Sequence, residues 1–185
     1  MNALDQSLFL AFNLPPGTPA WLVQATLAFS IGLPYALVAA LCVVALAARP
    51  GWRAQATRVL IAIGVATVVG ELVKRGFDHP RPVALGLGTQ WQVHRADHSF
   101  PSAHATALMA FAVALGLAPV GWLARVLAVA LALLMGWSRL ALGVHFPSDL
   151  LAGWLLGAVC AWAVCRWVPP IDPLALWRRL MRRGA

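Results

Sequence analysis

Charged side chains are scarce in this sequence, since aspartate, glutamate, lysine and arginine together make up 11% of its 185 residues. Hydrophobic residues make up 61%, and the mean hydropathy is +0.78. A soluble domain of this size has no interior large enough to bury so much apolar surface. The composition therefore excludes a soluble globular protein and indicates a single membrane-embedded domain over residues 1–185.

Acidic residues are the rarest charged class, with six against fourteen basic residues, and the net charge is +8. Such an excess of cations can indicate nucleic-acid binding. Here, however, the basic residues fall mostly at the ends of apolar runs, which is where arginine and lysine mark the loops of membrane proteins. We therefore expect membrane lipids around this protein and no nucleic-acid partner.

Cysteine is rare as well, because only Cys42, Cys160 and Cys165 occur, all inside apolar runs. This pattern excludes a disulfide framework or a thiolate metal site, and we expect the three side chains to pack or to face lipid. Residues 1–13 lack the basic region of a cleavable signal peptide, so none is expected. Leu4, Leu8, Phe9 and Phe12 instead predict a short amphipathic helix at the membrane surface.

Long apolar runs fill the rest of the chain and predict an all-α, polytopic membrane helix bundle. We predict five transmembrane helices, at residues 21–48, 57–73, 103–117, 122–142 and 150–168. Residues 49–53 are expected to form a basic loop. Residues 74–100 form the longest polar connection between apolar runs.

Five spans place the connections alternately on two sides of the membrane. The side richer in arginine is predicted to be cytoplasmic, because cytoplasmic loops carry an excess of Lys and Arg; it holds Arg49, Arg53, Arg58, Arg125, Arg166 and the C-terminal arginines. The other side still holds Lys74, Arg75, Arg81, Arg95 and Arg139. Cations that persist on the outer face indicate a function there.

Residues 138–149 join two apolar runs and contain Arg139, His145 and Asp149. Ionisable groups at the edge of a bilayer are costly and indicate a functional site. Pro147 suits the first position of a helix, which places Asp149 in the first turn, where its carboxylate can reach the imidazole of His145. Capping of that helix would explain Asp149 but neither Arg139 nor His145, so we favour a functional site.

Two further clusters lie on the same predicted face, at residues 74–82 and 99–104. Lys74, Arg81 and Arg139 together suit a multiply charged oxyanion, because Arg offers planar forks and Lys a point charge.

The start of the third predicted span adds donors and a second histidine. Pro101 can begin this helix, so that the free N–H groups of Ser102 and Ala103 point at an anion, and the Ser102 hydroxyl adds another donor. Two histidines, His104 and His145, then supply a nucleophile and a proton donor for phosphoryl transfer.

The three clusters resemble the three-part signature of the type 2 phosphatidic acid phosphatase superfamily, which also includes vanadium haloperoxidases. The matching residues occur in order from the second predicted span onward: Lys74 with Arg81 and Pro82, then Pro101 to His104, then Ser138, Arg139, His145 and Asp149. The family usually has glycine where this chain has Ala103. The backbone N–H survives that change, so activity is expected, but the methyl group could narrow the site and alter substrate choice.

The resemblance implies a role for each matching residue. His145 is expected to form a phosphohistidine, with Asp149 orienting it, and His104 is expected to act as general acid and then as base for water. The phosphoryl oxygens are expected to be held by Lys74, Arg81, Ser102, Arg139 and the N–H of Ala103. The family needs no metal ion, so no cofactor is expected.

Small bacterial members resemble this chain in size and in the short N-terminal helix, and many dephosphorylate undecaprenyl diphosphate. The resemblance thus implies a phosphorylated lipid substrate, a location in the bacterial cytoplasmic membrane and an active site on the outer, periplasmic face. Lipid A, phosphatidylglycerol phosphate and phosphatidic acid remain alternative substrates.

Other functions stay open on the sequence. An anion transporter or channel would use the same charges but needs no His–Asp pair. A vanadate-dependent haloperoxidase would be soluble, and a lipid phosphotransferase is indistinguishable from a hydrolase. His94 and His98 would share a helix face and could bind a metal, but we favour a solvated loop. Glu71 is expected to pair with a cation or to line the site.

Overall fold

The structure is a computed structural model that describes residues 3–93 and 98–183. Within these ranges the chain forms seven α-helices, one short 3₁₀ turn at Pro82–Leu85 and no strand. The helices are α1 (Ala3–Phe12), α2 (Ala20–Ala47), α3 (Pro50–Lys74), α4 (Ala103–Gly116), α5 (Trp122–Ala141), α6 (Pro147–Trp167) and α7 (Pro173–Arg183). The prediction of an all-α membrane helix bundle is confirmed.

Four of the helices in the described ranges are long and apolar enough to cross a membrane, namely α2, α3, α5 and α6. The remaining predicted span corresponds to α4, which has only 14 residues. At about 1.5 Å per residue it is roughly 21 Å long, which is less than the hydrocarbon thickness of a bilayer. Half of its residues are buried, and it packs against α3, α5 and α6, so α4 is the central helix of the bundle.

Helix α3 begins earlier than predicted. Its first residue is Pro50 rather than residue 57, so the predicted basic loop at 49–53 is mostly helical. Proline suits the first position of a helix because its fixed φ is already helical and its missing N–H has no partner there. The early start lets Arg53 form a two-pronged ion pair with Asp172, at 3.0 and 2.6 Å, which ties α3 to the start of α7.

Helix α1 is present as predicted, but its buried face is different. Of the four residues predicted to form its apolar face, Phe9 is buried against the bundle, whereas Leu4, Leu8 and Phe12 are exposed; Asp5 is also buried. Phe9 packs edge-on against Phe146 just before α6, with ring centroids 5.3 Å apart. Asp5 is buried because its carboxylate accepts hydrogen bonds from Ser148 in the first turn of α6. A negative charge at that position is stabilised by the unpaired N–H groups at the start of the helix.

Helices α4 and α6 cross closely at two glycines. A Cβ added at Gly157 would overlap the carbonyl oxygen of Thr106, and one at Gly153 would lie 2.8 Å from that of Ser102. A Gly-x-x-x-Gly pattern lets membrane helices bring their backbones together. The crossing places the starts of both helices side by side, so that the Ser102 N–H donates to the Asp149 carbonyl oxygen at 3.1 Å.

We predict that Gly157→Ala lowers the melting temperature in detergent by about 2–10 °C, because overpacking costs about 1–3 kcal/mol. Gly64→Ala is the matched control, since Gly64 is also helical but a Cβ there meets nothing within 4 Å. That variant should melt at or above the wild-type temperature, because alanine favours helix by about 1 kcal/mol. Equal melting temperatures for the two variants would contradict the close crossing.

Candidate active site

His145 lies in the turn between α5 and α6, and its imidazole contacts a carboxylate from the first turn of α6. Its Nδ1 is 3.2 Å from Oδ2 of Asp149, as predicted. The same carboxylate oxygen accepts the N–H of Phe146 at 2.9 Å, which holds the Asp149 side chain at the start of the helix. With Nδ1 donating to the carboxylate, Nε2 keeps its lone pair. Both side chains are buried.

The turn that carries His145 depends on a glycine. Gly143 has φ of +76°, a left-handed conformation that glycine adopts without steric cost. A Cβ at this position would also overlap the carbonyl of Thr89, which lies in the connection between α3 and α4. The N–H of Trp91 donates to the Leu142 carbonyl at 3.0 Å. The turn is therefore held against the α3–α4 connection.

Arg81 approaches the other nitrogen of the imidazole. Its Nη1 donates to the carbonyl oxygen of Val144 at 2.8 Å and lies 3.4 Å from Nε2 of His145. The Arg81 side chain is buried, although it comes from a loop more than sixty residues earlier in the chain. A guanidinium beside Nε2 is well placed to bind the oxygens of a phosphoryl group attached there.

Arg139 is fully buried in the last turn of α5. Its Nη1 donates to Oγ of Ser30 on α2 and to Oε1 of Gln92, both at 2.7 Å. Within the described part of the chain, Nε and Nη2 of Arg139 and Oγ of Ser102 have no hydrogen-bond partner. Buried donors are nearly always paired, so these three atoms have the capacity to bind the oxygens of an anion.

Burial lowers the pKa of His145 from its ordinary 6.5 to about 4, and the charges of Arg139 and Arg81 act in the same direction, while Asp149 opposes the shift. The imidazole is therefore neutral at neutral pH. A neutral imidazole with its Nε2 lone pair available is the form that can attack phosphorus.

The start of α4 differs from the prediction in one respect. The helix begins at Ala103, with Ser102 as the preceding cap residue. The prediction that the N–H of Ser102 is free is wrong, because this group donates to the backbone carbonyl oxygen of Asp149 where α4 and α6 cross. The N–H of Ala103 lies in the first helical position, where it has no acceptor within the helix. His104 follows on the first turn and is half-buried.

Lys74 lies apart from these contacts. It is the last residue of α3, and its Nζ is 3.0 Å from Oε1 of Glu71, which is half-exposed. The cation that pairs with Glu71, left open by the sequence, is therefore Lys74. The structure brings Arg81, His145 and Asp149 into contact and joins Ser102 to Asp149 through the backbone, whereas Lys74 is paired with Glu71 instead.

Four contacting residues were given no role by the sequence analysis, although His79 and Ser99 lie within two of its clusters. Ser30 and Gln92 hold Arg139, while His79 and Ser99 approach the second oxygen of Asp149, at 3.1 and 3.2 Å. A buried serine inside an apolar span is a signal that could have indicated Ser30, whereas nothing in the sequence distinguishes Gln92.

The hypothesis of a metal shared by His94 and His98 is not tested, because His94 and Asp97 lie outside the described residues. His98 is half-exposed, and its Nδ1 is 3.3 Å from Oδ1 of Asp78.

Comparisons with known proteins identify the family of this chain. The model of the PAP2 superfamily matches residues 55–172. The chain is 32% identical over 159 residues to YbjG of Escherichia coli (strain K12), provisionally named an undecaprenyl-diphosphatase, which covers 86% of this chain and 80% of that protein.

Two solved structures share the fold. The crystal structure of LpxE from Aquifex aeolicus matches with a TM-score of 0.76 and 25% identity, covering 90% of this chain and 97% of that one. A transmembrane PAP2-type phosphatidylglycerolphosphate phosphatase from Bacillus subtilis matches with a TM-score of 0.70 and 23% identity, covering 89% and 85%. The family match, which includes residues 74–149, and the similarity to YbjG show that this multi-pass membrane protein belongs to the PAP2 superfamily of membrane lipid phosphatases and is a phosphoric ester hydrolase.

Proposed function

We propose that this protein hydrolyses undecaprenyl diphosphate to undecaprenyl phosphate and inorganic phosphate through a phosphohistidine on His145. The observation that carries the mechanism is the buried contact between His145 and Asp149, with Arg81 at the opposite ring nitrogen. The substrate rests on the similarity to YbjG over most of both chains. An anion channel would have no use for an imidazole fixed between a carboxylate and a guanidinium.

The first step transfers the phosphoryl group to the enzyme. The lone pair of Nε2 of His145 attacks phosphorus, and the bond from phosphorus to the leaving oxygen breaks, with its electron pair going to that oxygen. Protonated His104 donates a proton to the leaving oxygen. The imidazole becomes cationic, and the Asp149 carboxylate at Nδ1 stabilises that charge.

The second step releases phosphate. Neutral His104 takes a proton from a water molecule, whose oxygen attacks phosphorus. The bond between phosphorus and Nε2 breaks, its electron pair returns to nitrogen, and inorganic phosphate leaves. His104 is then protonated for the next turnover, so the two steps balance as addition of one water molecule to the lipid diphosphate.

Cationic side chains and amides stabilise the phosphoryl oxygens in both steps. Arg81, Arg139 and Ser102 are buried, and Arg139 and Ser102 carry the unpaired donors described above. Lys74 and the N–H of Ala103 complete the proposed set, which requires Nζ of Lys74 to leave Glu71, its partner in the structure. Preorganised charges in a water-poor site stabilise a transition state well, and here we propose that they take the place of a metal ion.

The function is tested by phosphate release from purified lipids in detergent. Undecaprenyl diphosphate should be the best substrate in a panel with phosphatidylglycerol phosphate, phosphatidic acid and lipid A. Vanadate should inhibit, EDTA should not, and His145→Ala should abolish release. His98→Ala is the matched control and should retain wild-type activity.

Another lipid turned over faster would replace the proposed substrate. Loss of activity in EDTA that a divalent ion restores would contradict the metal-free mechanism. Transfer of phosphate to a second lipid instead of water would indicate a phosphotransferase.

The two histidines can be separated by the leaving group. His104→Ala should slow the first turnover by about 10²–10⁴-fold on a monophosphate lipid, whose alkoxide needs a proton. The loss of rate should be much smaller on nitrophenyl phosphate or a diphosphate, because nitrophenolate and phosphate are better leaving groups than an alkoxide. His145→Ala should be inactive on all three, and Asp149→Asn should fall between, because it misorients the imidazole without removing it. Rapid quench of the first turnover measures these rates separately from phosphoenzyme hydrolysis.

If His104→Ala lost first-turnover rate equally on substrates with good and with poor leaving groups, the assignment of His104 as general acid would be refuted. Residual first-turnover activity in His145→Ala would refute the nucleophile assignment.

We also propose that the protein lies in the bacterial cytoplasmic membrane with the His145 site on the periplasmic face. The opposite end of the bundle carries Arg53, Arg58, Arg166 and the arginines of α7, and arginine-rich ends face the cytoplasm. A C-terminal green fluorescent protein fusion should therefore fluoresce, and a C-terminal alkaline phosphatase fusion should be inactive. Reversed results for the two fusions would overturn this orientation.

A further inference from the structure

His79 is a histidine to which the proposed mechanism assigns no role. It lies in the connection after α3, between Lys74 and Arg81, and its side chain is 26% exposed. Its Nδ1 is 3.1 Å from Oδ1 of Asp149 and 3.0 Å from Oγ of Ser99. The Asp149 carboxylate therefore lies between two imidazoles, with His145 at one oxygen and His79 at the other.

A fully buried carboxylate needs donors at both oxygens to stay ionised. At Asp149, Oδ2 has two, the Nδ1 of His145 and the backbone N–H of Phe146. At Oδ1, the side chains of His79 and Ser99 approach within hydrogen-bond distance. The two oxygens thus depend on different parts of the chain.

Ser99 is not a constant hydrogen-bond donor to Oδ1, because its single hydroxyl proton has several acceptors within reach. Its Oγ is 3.2 Å from Oδ1, but also 3.1 Å from the carbonyl oxygen of His79 and 3.4 Å from that of Pro80. When the proton points to a carbonyl, the Nδ1–H of His79 is the donor left for Asp149. The Nδ1–H of His79, which lies within reach of Oδ1 and of Oγ of Ser99, is therefore the second donor available to Oδ1.

The ring of His79 is held in place by aromatic packing. It meets Phe146 edge-on, with centroids 6.1 Å apart, and tilts against Phe100 at 5.9 Å. Its own carbonyl accepts the N–H of Ser99 at 2.9 Å. His79 also lines a cavity of about 360 Å³ next to the start of α6.

We propose that His79 is a positioning residue, whose Nδ1–H donates to Oδ1 of Asp149 and holds that carboxylate as the ionised acceptor aimed at His145. This inference rests on the proposed phosphohistidine mechanism. His79 acts through Asp149 and is not proposed to touch the substrate, so its loss should lower kcat and leave KM unchanged.

Three substitutions separate the donor from the ring. In asparagine the amide nitrogen is as many bonds from Cα as Nδ1 is in histidine, so His79→Asn retains the donor. His79→Gln moves the nitrogen one bond farther, and His79→Phe keeps the aromatic packing without a donor. Removing a hydrogen bond to a charged group should lower kcat by about 10- to 100-fold in His79→Phe and His79→Gln. The kcat of His79→Asn should stay within about threefold of wild type.

The test uses the full chain in detergent, with steady-state kinetics on undecaprenyl diphosphate and on nitrophenyl phosphate. His98→Asn is the control, because His98 is half-exposed and pairs with Asp78 rather than with Asp149, and it should match wild type. Melting temperatures of all variants show whether a loss reflects unfolding. An unchanged kcat in His79→Phe would overturn the inference, as would a loss confined to KM or a loss in His79→Asn equal to that in His79→Phe.

Vanadate binding, followed by tryptophan fluorescence, separates this inference from the substrate proposal. Vanadate is expected to bond to Nε2 of His145, so its affinity reports the orientation of that ring without any lipid. His79→Phe should bind vanadate about tenfold more weakly than wild type, and His79→Asn should bind it equally well. If neither substrate is hydrolysed by the wild type, the proposed function fails, whereas equal vanadate affinity in wild type and His79→Phe overturns the role of His79.

Discussion

The burial of one carboxylate, that of Asp149, is the constraint on which the rest of the site depends. A buried charge is stable only when its oxygens are hydrogen-bonded. The donors come from segments far apart in the chain: His145 and Phe146 before α6, and His79 and Ser99 in the connection between α3 and α4. The hydrogen bonds to both oxygens of Asp149 therefore fix the relative position of these segments.

Close backbone packing brings those segments within reach. Gly153 and Gly157 allow α6 to lie against α4, and Gly143 allows the His145 turn to lie against the α3–α4 connection. The carboxylate of Asp5, on α1, accepts hydrogen bonds from both the backbone N–H and the hydroxyl of Ser148 in the first turn of α6. The N-terminal helix thus supports the helix start on which Asp149 sits, rather than only lying on the membrane.

The fold class and the main site residues could be predicted because they depend on local sequence. Apolar runs predict helices, and Pro147 with Asp149 predicts the start of α6 and the contact with His145. The errors arose where a tertiary contact decides the outcome: Asp5 is buried because Ser148 needs an acceptor, and the Ser102 N–H is used by α6. His79 could not be recognised because its partner lies seventy residues away in sequence and only the folded chain brings the two together.

The central claim is that His145 carries the phosphoryl group during turnover. The most direct measurement mixes enzyme with undecaprenyl diphosphate, quenches the first turnover in base, where phosphohistidine survives, and locates the modified residue by mass spectrometry. The account predicts a phosphoryl group on His145 that forms before phosphate is released and is absent from His145→Ala. Phosphate release without any modified residue, or with the phosphoryl group on another side chain, would contradict it.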